Sequence, residues 1–267
     1  MKITKVLSAL AICACSMSVF TSCQKKEDVT TKDQLSEDTL SQIRQLGFTT
    51  ADAKKVDGGY LVEGDILLSD SDLKNKPDYK MLRVGDDEQY RTNNLVTGLP
   101  RTITVAVSST LPSAYVTAAD EAIRRYNALA LRITMRRVTS GANITLTKAP
   151  SGAGYLASAG FPSGGNPYSQ VLVNSTSLGT SYATTTIASV LAHEIGHCIG
   201  FRHTDYMSRQ YSCGGSAVNE GASSVGAVLI PGTPSGVDPN SWMLACIGTG
   251  QNRPFNTNDK TALNYLY

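Results

Sequence analysis

Hydrophobic and polar positions fall into regular patterns beyond residue 100. In RTITVAV (101–107), Ile103, Val105 and Val107 share one face, which predicts a half-buried strand. Residues 113–130 instead space Ala119, Ala122, Ile123, Tyr126 and Leu129 at helical intervals, with Ser113 as a candidate cap. Alternating strands are expected again in LRITMRRV (131–138) and NITLT (143–147), followed by a loop with five glycines between Gly152 and Gly165. SQVLVN (169–174) reads as a further strand, and TTTIASVLAHEIGHCIG (184–200) as a long helix ending in glycine. Upstream, GGYLVEGDILLS (58–69) has short apolar runs suited to strands. At the other end, Ala262, Leu263 and Leu266 predict a short terminal helix capped by Thr257 or Asn258. Gly, Ser and Pro dominate Ser212 to Asn240, and so long an irregular stretch is expected to be functional, with residues 204–240 supplying subsite walls. The pattern implies an α+β fold: a small twisted mixed sheet, two main helices and a loop-rich C-terminal subdomain. The candidate rim, where an extended peptide can add as a strand, is YSQVLVN or the glycine loop before it.

Composition changes this picture mainly at the N-terminus. At 41% hydrophobic and 17% charged residues, the 267-residue chain is ordinary for a globular protein, and its net charge of +2 argues against nucleic-acid binding. Lys2 and Lys5 precede an apolar run, Val6 to Phe20, that is too short for a comfortable span and has the shape of a signal peptide. It ends in VFTSC, which resembles a bacterial lipobox. Cleavage would leave Cys23 as a lipidated first residue; a plain secreted protein cut near Ser22 is the alternative. The QKKED that follows is similar to the export tag of Bacteroidota-type surface lipoproteins. The expected organisation is a signal peptide at 1–22, a lipidated tether at 23–50, a propeptide-like segment at 51–97 and a catalytic domain at 98–267. Residues 24–97 carry 15 acids and 11 bases, a net −4, and residues 98–267 carry 7 acids and 11 bases, a net +4. An acidic leader of this kind either covers the basic body or is a solvated tether. The protein is then exported and anchored by lipid to the outer membrane, facing the cell surface, as a monomer. In that compartment one disulfide among Cys198, Cys213 and Cys246 is expected, with the pair left open.

All three histidines of the chain lie in HEIGHCIGFRH, residues 193–203. Four residues apart on a helix, His193 and His197 stack on one face. Gly200 can end the helix in a left-handed conformation and swing His203 back towards the same point. Three neutral imidazoles with an open fourth position describe one catalytic Zn2+. Glu194 falls in the apolar arc of the same helix, where a carboxylate is costly without a partner, and it is the candidate general base towards water activated at the metal. A structural metal site would instead close its fourth position with another Cys or His.

HEIGHCIGFRH matches HExxHxxGxxH and resembles the metzincin metallopeptidases. HEIGH followed by FRHTDY is similar to the bacterial HEIGH-type (dual-action HEIGH) family, and the likeness extends through YLVEGDILL, AGFPSGGNP and LIPGTPSGVDPNSWM to the end of the chain. The resemblance implies a metzincin-like fold and a zinc endopeptidase acting on protein or peptide substrates. It implies His193, His197 and His203 as ligands, Glu194 as base and Met243 as the Met-turn beneath the metal. Met207 is a rival that follows His203 too closely. Ala245 stands where some metzincins place an extra tyrosine ligand, so no such switch is expected. No cysteine lies between Cys23 and Cys198 to silence the zinc; a leader carboxylate such as Asp86 or Asp87 is the candidate substitute. Two alternatives persist: a zinc hydrolase of a non-peptide bond, and a surface-binding lipoprotein whose metal is structural.

Overall fold

A mixed five-stranded sheet carries the body of the protein in the computed structural model, which describes residues 35–46, 48–74, 89–222, 225–234 and 237–267. In chain order the elements begin with α1 (Glu37–Leu46), β1 (Lys54–Val56), β2 (Gly59–Val62), β3 (Ile66–Leu68), α2 (Asp70–Lys74) and β4 (Tyr90–Arg91). They continue with β5 (Arg101–Val107), α3 (Ala114–Asn127), β6 (Ile133–Val138), β7 (Ile144–Lys148), β8 (Ala157–Ser158) and β9 (Gln170–Val173). Last come α4 (Ser175–Leu178), α5 (Thr184–Ile199), α6 (Gln210–Cys213), β10 (Val228–Leu229) and α7 (Thr257–Leu266). The main sheet runs β6-β5-β7-β9-β8, parallel except where β8 pairs antiparallel with β9.

The α+β expectation is met, and the alternating residues behave as the pattern required. Ile103, Val105, Ile133, Met135, Ile144 and Leu146 are buried and form one core with Ala119, Ala122 and Tyr126 of α3 and Leu191 and Ile195 of α5. From Thr186 to Ile199 every residue of α5 is buried, so this helix is the central member of the core rather than a surface helix. The terminal helix begins where expected, but its cap is Asn256, not Thr257 or Asn258. Asn256 accepts from the Asp259 amide while Asp259 accepts from the Asn256 amide, a reciprocal box that satisfies two amides the helix itself leaves unpaired. At the other main helix Ser113 holds the N-cap position without a side-chain cap bond.

Three features sharpen or correct the pattern reading. Of the two rim candidates the glycine loop lies at the edge, because it contains β8, and the strand in YSQVLVN lies inside the sheet. The stretch read as a tether contains α1, whose Ile43 and Leu46 are buried with Phe48, Val62, Ile66, Leu68 and Leu73. The leader also packs into the body: Leu61 and Leu67, on the opposite face of the β2–β3 hairpin, are buried with Ala149, Tyr155 and Leu172. The hairpin reaches the sheet edge through main-chain bonds, Leu67 donating to the Ala159 carbonyl at 2.9 Å and Ala159 to the Asp65 carbonyl at 3.0 Å. Asp33–Tyr267 accordingly forms one compact unit. Cys23, the signal segment, Asp86 and Asp87 lie outside the described residues.

Candidate metal centre

Helix α5 presents His193 and His197 one turn apart, and Gly200 ends it at φ 112° in the left-handed region. A side chain at 200 would be strained, and its Cβ would sit 2.7 Å from the Asn94 carbonyl oxygen. The chain turns there, and His203 comes back to the helix. The His197 Nε2 atom lies 3.0 Å from that of His193 and 3.2 Å from that of His203. All three predicted ligands therefore meet at one point, and all are buried.

The opposite ring nitrogens decide what that point can hold. His193 Nδ1 donates to the Trp242 carbonyl at 2.9 Å and His197 Nδ1 to the Phe201 carbonyl at 2.8 Å. A carbonyl only accepts, so Nδ1 of each ring carries a proton, and the tautomer this selects has a lone pair on Nε2. Lone pairs facing each other at 3.0 Å repel unless a cation sits between them. Ligands on a tetrahedral zinc at the usual bond length stand roughly 3.3 Å apart, close to this spacing. Burial pushes His197 down to about 4, which keeps the ring neutral and ready to ligate.

His203 is oriented differently. Its Nδ1 pairs with Glu220 at 2.8 Å, the carboxylate–imidazole arrangement that fixes a ligating ring. Burial opposes a charge on His203, but Asp65 and Glu220 together raise its pKa well above the usual imidazole value. Asp65 is the fourth group. Its Oδ2 stands 3.0 Å from His203 Nε2 and 3.4 Å from His193 Nε2, while its Oδ1 has no hydrogen-bond partner. One ligand atom from each of Asp65, His193, His197 and His203 lies within 4.8 Å of the others. Three imidazole nitrogens and a carboxylate around one point fit a divalent metal ion, with zinc the usual ion for such a donor set.

Glu194 points along the same front. It is buried, its Oε2 is without a partner, and burial followed by the Asp65 charge pushes its pKa well up. Both Glu194 and His193 line a cavity of about 510 Å3 that opens beside the metal centre. Of the described residues among 204–240, expected to form its walls, only Arg209 lines it; Ala153–Ala157 of the glycine loop and Trp242 with Leu244–Ile247 contribute more. Met243 is fully buried against Gly196 of α5, where an added Cβ would stand 2.7 Å from its sulfur. The Met243 carbonyl also accepts from the Thr204 amide at 2.9 Å, tying this turn to the segment after His203. A disulfide joins Cys213 to Cys246, and Cys198 is a free, buried thiol.

Asp65 and Glu220 escape the sequence reading. A pair of acids, Glu63 and Asp65, among the apolar residues of YLVEGDILL is the one local sign of Asp65, and its hydrogen-bond partner His203 stands 138 residues away. Glu220 sits in an irregular, polar stretch and carries no sign at all.

The family model for the dual-action HEIGH metallo-peptidases matches residues 61–267. No curated protein matches the chain. Two structures of myroilysin align with 66% and 65% of this chain and 86% and 82% of their own, each at 15% identity and a TM-score of 0.42. A GM1-bound ECX AB5 holotoxin aligns over 53% of this chain and 69% of its own, at 16% identity and a TM-score of 0.35. The matched segment covers most of the chain and contains Asp65, all three histidines, Glu194 and Met243, and the chain belongs to the dual-action HEIGH metallopeptidases.

Proposed function

We propose that this metallopeptidase is a zinc endopeptidase in which Glu194 is the general base, and that Asp65 keeps the full chain latent. The convergence of three Nε2 atoms beside a buried, half-unpartnered Glu194 at the mouth of a cavity carries this reading. His193, His197 and His203 would hold the ion. Bound zinc acidifies water and polarises a carbonyl. Glu194 is placed to take a proton from the attacking water and pass it to the leaving nitrogen, and burial raises its proton affinity towards what that shuttle needs. Trp242 and Phe201, through their carbonyls, and Glu220 fix the three rings. Met243 is the turn that supports them from below.

Two leader contacts support latency. Asp65 occupies the side of the cage that a substrate carbonyl or water would need, and the hairpin pairs with the sheet edge at Ala159, where an extended peptide would add. The leader carboxylate looked for at Asp86 or Asp87 is thereby supplied by Asp65. Export, lipid on Cys23 and anchoring to the outer membrane belong to the same proposal, and the intact mass of the mature protein tests them.

Glu194→Gln should retain one zinc per chain and lose peptide cleavage; retained cleavage removes Glu194 as base. Asp65→Ala in the full chain should raise cleavage at least tenfold and weaken zinc binding by removal of a ligand. An unchanged rate and unchanged zinc affinity would remove the latency claim. A peptide-library digest with and without chelator separates a peptidase from a zinc hydrolase of another bond.

A further inference from the structure

We propose that the cavity beside the metal centre is a subsite for a carboxylate, with Arg253 as its specificity-determining residue. The inference rests on the peptidase reading only in taking that carboxylate to belong to a peptide substrate.

The cavity follows helix α5. His193 and Glu194 line it at one level; Ser189 and Val190, about 6 Å back along the helix, line it at the next. Arg253 is fastened to that deeper level, since its amide donates to Ser189 Oγ at 2.8 Å. Trp242 and the aliphatic side chains of Val190, Leu156, Leu244 and Ile247 form apolar walls between. The half-buried Arg253 side chain lines the same cavity beside Cys246 and Gln251, so a side chain entering from the catalytic end meets apolar surface with a guanidinium on its wall.

The state of that guanidinium suggests what it binds. Two cations line the cavity, Arg209 and Arg253. Arg209 is already neutralised by Asp52 at 3.1 Å and Glu220 at 3.3 Å. Arg253 makes no ion pair among the described residues. It donates to the Cys246 carbonyl at 3.0 Å and, at 3.5 Å, to Gln251, which leaves most of its five N–H groups for a ligand. Burial works against its charge, and Asp205 and Asp259 offset this only through space. A planar cation without a carboxylate, on the wall of a mostly apolar cavity, favours a ligand that brings one, bound through two parallel hydrogen bonds. Two sources share this chemistry: an Asp or Glu side chain next to the scissile bond, and the free α-carboxylate of a peptide's last residue.

Trp242 is the only tryptophan and lines the cavity, so its fluorescence reads occupancy without turnover. The full chain is titrated with N-acetyl-glutamate amide against N-acetyl-glutamine amide, and with N-acetyl-leucine against its amide. In parallel, zinc-loaded Asp65→Ala chain is given peptides differing only in Glu, Asp, Gln or Leu after the scissile bond. Glutamate is expected to bind, and its peptide to be cleaved, at least tenfold better than glutamine. Arg253→Gln should abolish the difference and Arg253→Lys should keep part of it. A preference confined to N-acetyl-leucine over its amide, lost in Arg253→Gln, assigns the site to a chain terminus and supports the proposal. Equal binding of acids and amides, or an acid preference that survives Arg253→Gln, overturns it. Arg253-dependent binding with no peptide cleaved would sustain the carboxylate site and sink the peptidase reading instead.

Discussion

Gly196, the fourth letter of HEIGH, offers a test in which two physical arguments give opposite signs. Replacing a mid-helix glycine with alanine ordinarily stabilises a helix by about 1 kcal/mol, because glycine has more backbone freedom to lose. Here the new Cβ would lie 2.5 Å from Trp242 Cη2 and 2.7 Å from Met243 Sδ. Neither neighbour has room to retreat. The Trp242 ring is packed by Tyr126, Phe201 and Phe255 at centroid distances of 5.7, 5.2 and 4.8 Å, its amide donates to Asp259, and the Met243 amide donates to Ser241. Overpacking of this kind costs about 1–3 kcal/mol, and the crowding here argues for the upper end. Set against the helix gain, Gly196→Ala should lose about 2 kcal/mol, or roughly 4–8 °C in Tm for a domain of this size. Zinc affinity should fall as well, because the Trp242 carbonyl orients His193. Urea unfolding with linear extrapolation and a competitive zinc titration measure both. A variant more stable than the parent by about 1 kcal/mol, with unchanged zinc binding, would refute the close seating of the Met243 turn under α5.

Three further outcomes are expected. Converting Cys213 and Cys246 to serine opens a loop with a sequence separation of 33, and loop entropy puts the loss at about 4 kcal/mol; equal denaturation midpoints with and without reductant would contradict it. Glu220→Gln should weaken zinc binding about 10–100-fold while leaving the far-ultraviolet circular dichroism unchanged, since it disturbs the partner of His203 and no ligand. Burial raises the Asp259 carboxyl to about 7 against the hydrogen bonds it accepts from Asn256, Trp242 and Ser241. The folded state then holds a proton that the unfolded chain releases near pH 4, so this contribution is complete below about pH 4 and declines by up to about 4 kcal/mol as pH rises through 7. Asp259→Asn should flatten that slope in stability measured across pH 4–8, and parallel pH profiles for parent and variant would exclude it.

What was legible in the sequence was whatever a single element encodes. His193, His197 and Gly200 share one helix and its cap, so a 3.6-residue period and one backbone exception suffice to bring His203 to them. The strands β5, β6 and β7 are long enough to alternate visibly and β9 shows as an apolar run, whereas β8 is a pair of residues inside a glycine loop and leaves no period to read. Helix α1 was hidden by composition: its ten residues are mostly polar, and the buried pair Ile43 and Leu46 makes sense only against Val62 and Ile66 of the following hairpin. The terminal cap was misplaced because Asn256 acts jointly with Asp259, three residues on, and neither is decisive alone. Asp65 needed the register of two strands and a partner more than a hundred residues away.

The acids around the histidines show why tertiary structure, rather than the motif, sets the chemistry. Asp65, Glu194 and Glu220 are all buried and all near the three imidazoles, yet each meets a different environment. Glu220 pairs with the Nδ1 of His203 and lies between Arg202 at 3.6 Å and Arg209 at 3.3 Å, so its place is to orient a ring. Burial would protonate Asp65, but the His203 ring 3.0 Å away holds its carboxyl well below the usual range, which suits it to a ligand's place. Glu194 makes no ion pair among the described residues and has an oxygen without a partner, and burial with the Asp65 charge outweighs His203 and raises its carboxyl, so of the three it has the most reason to gain and lose a proton. The leader that brings Asp65 also brings Glu63, whose Oε2 lies 2.8 Å from the Arg202 guanidinium with both side chains 1% exposed. Burial raises the Glu63 carboxyl, but at that distance the ionised form fits the guanidinium, and the pair joins leader to body immediately beside His203. Withdrawing the hairpin would uncover the side of the histidine cluster that Asp65 occupies and leave Arg202 with Glu220 as its remaining carboxylate. Opening the site and adjusting the anion that orients His203 are thus one event.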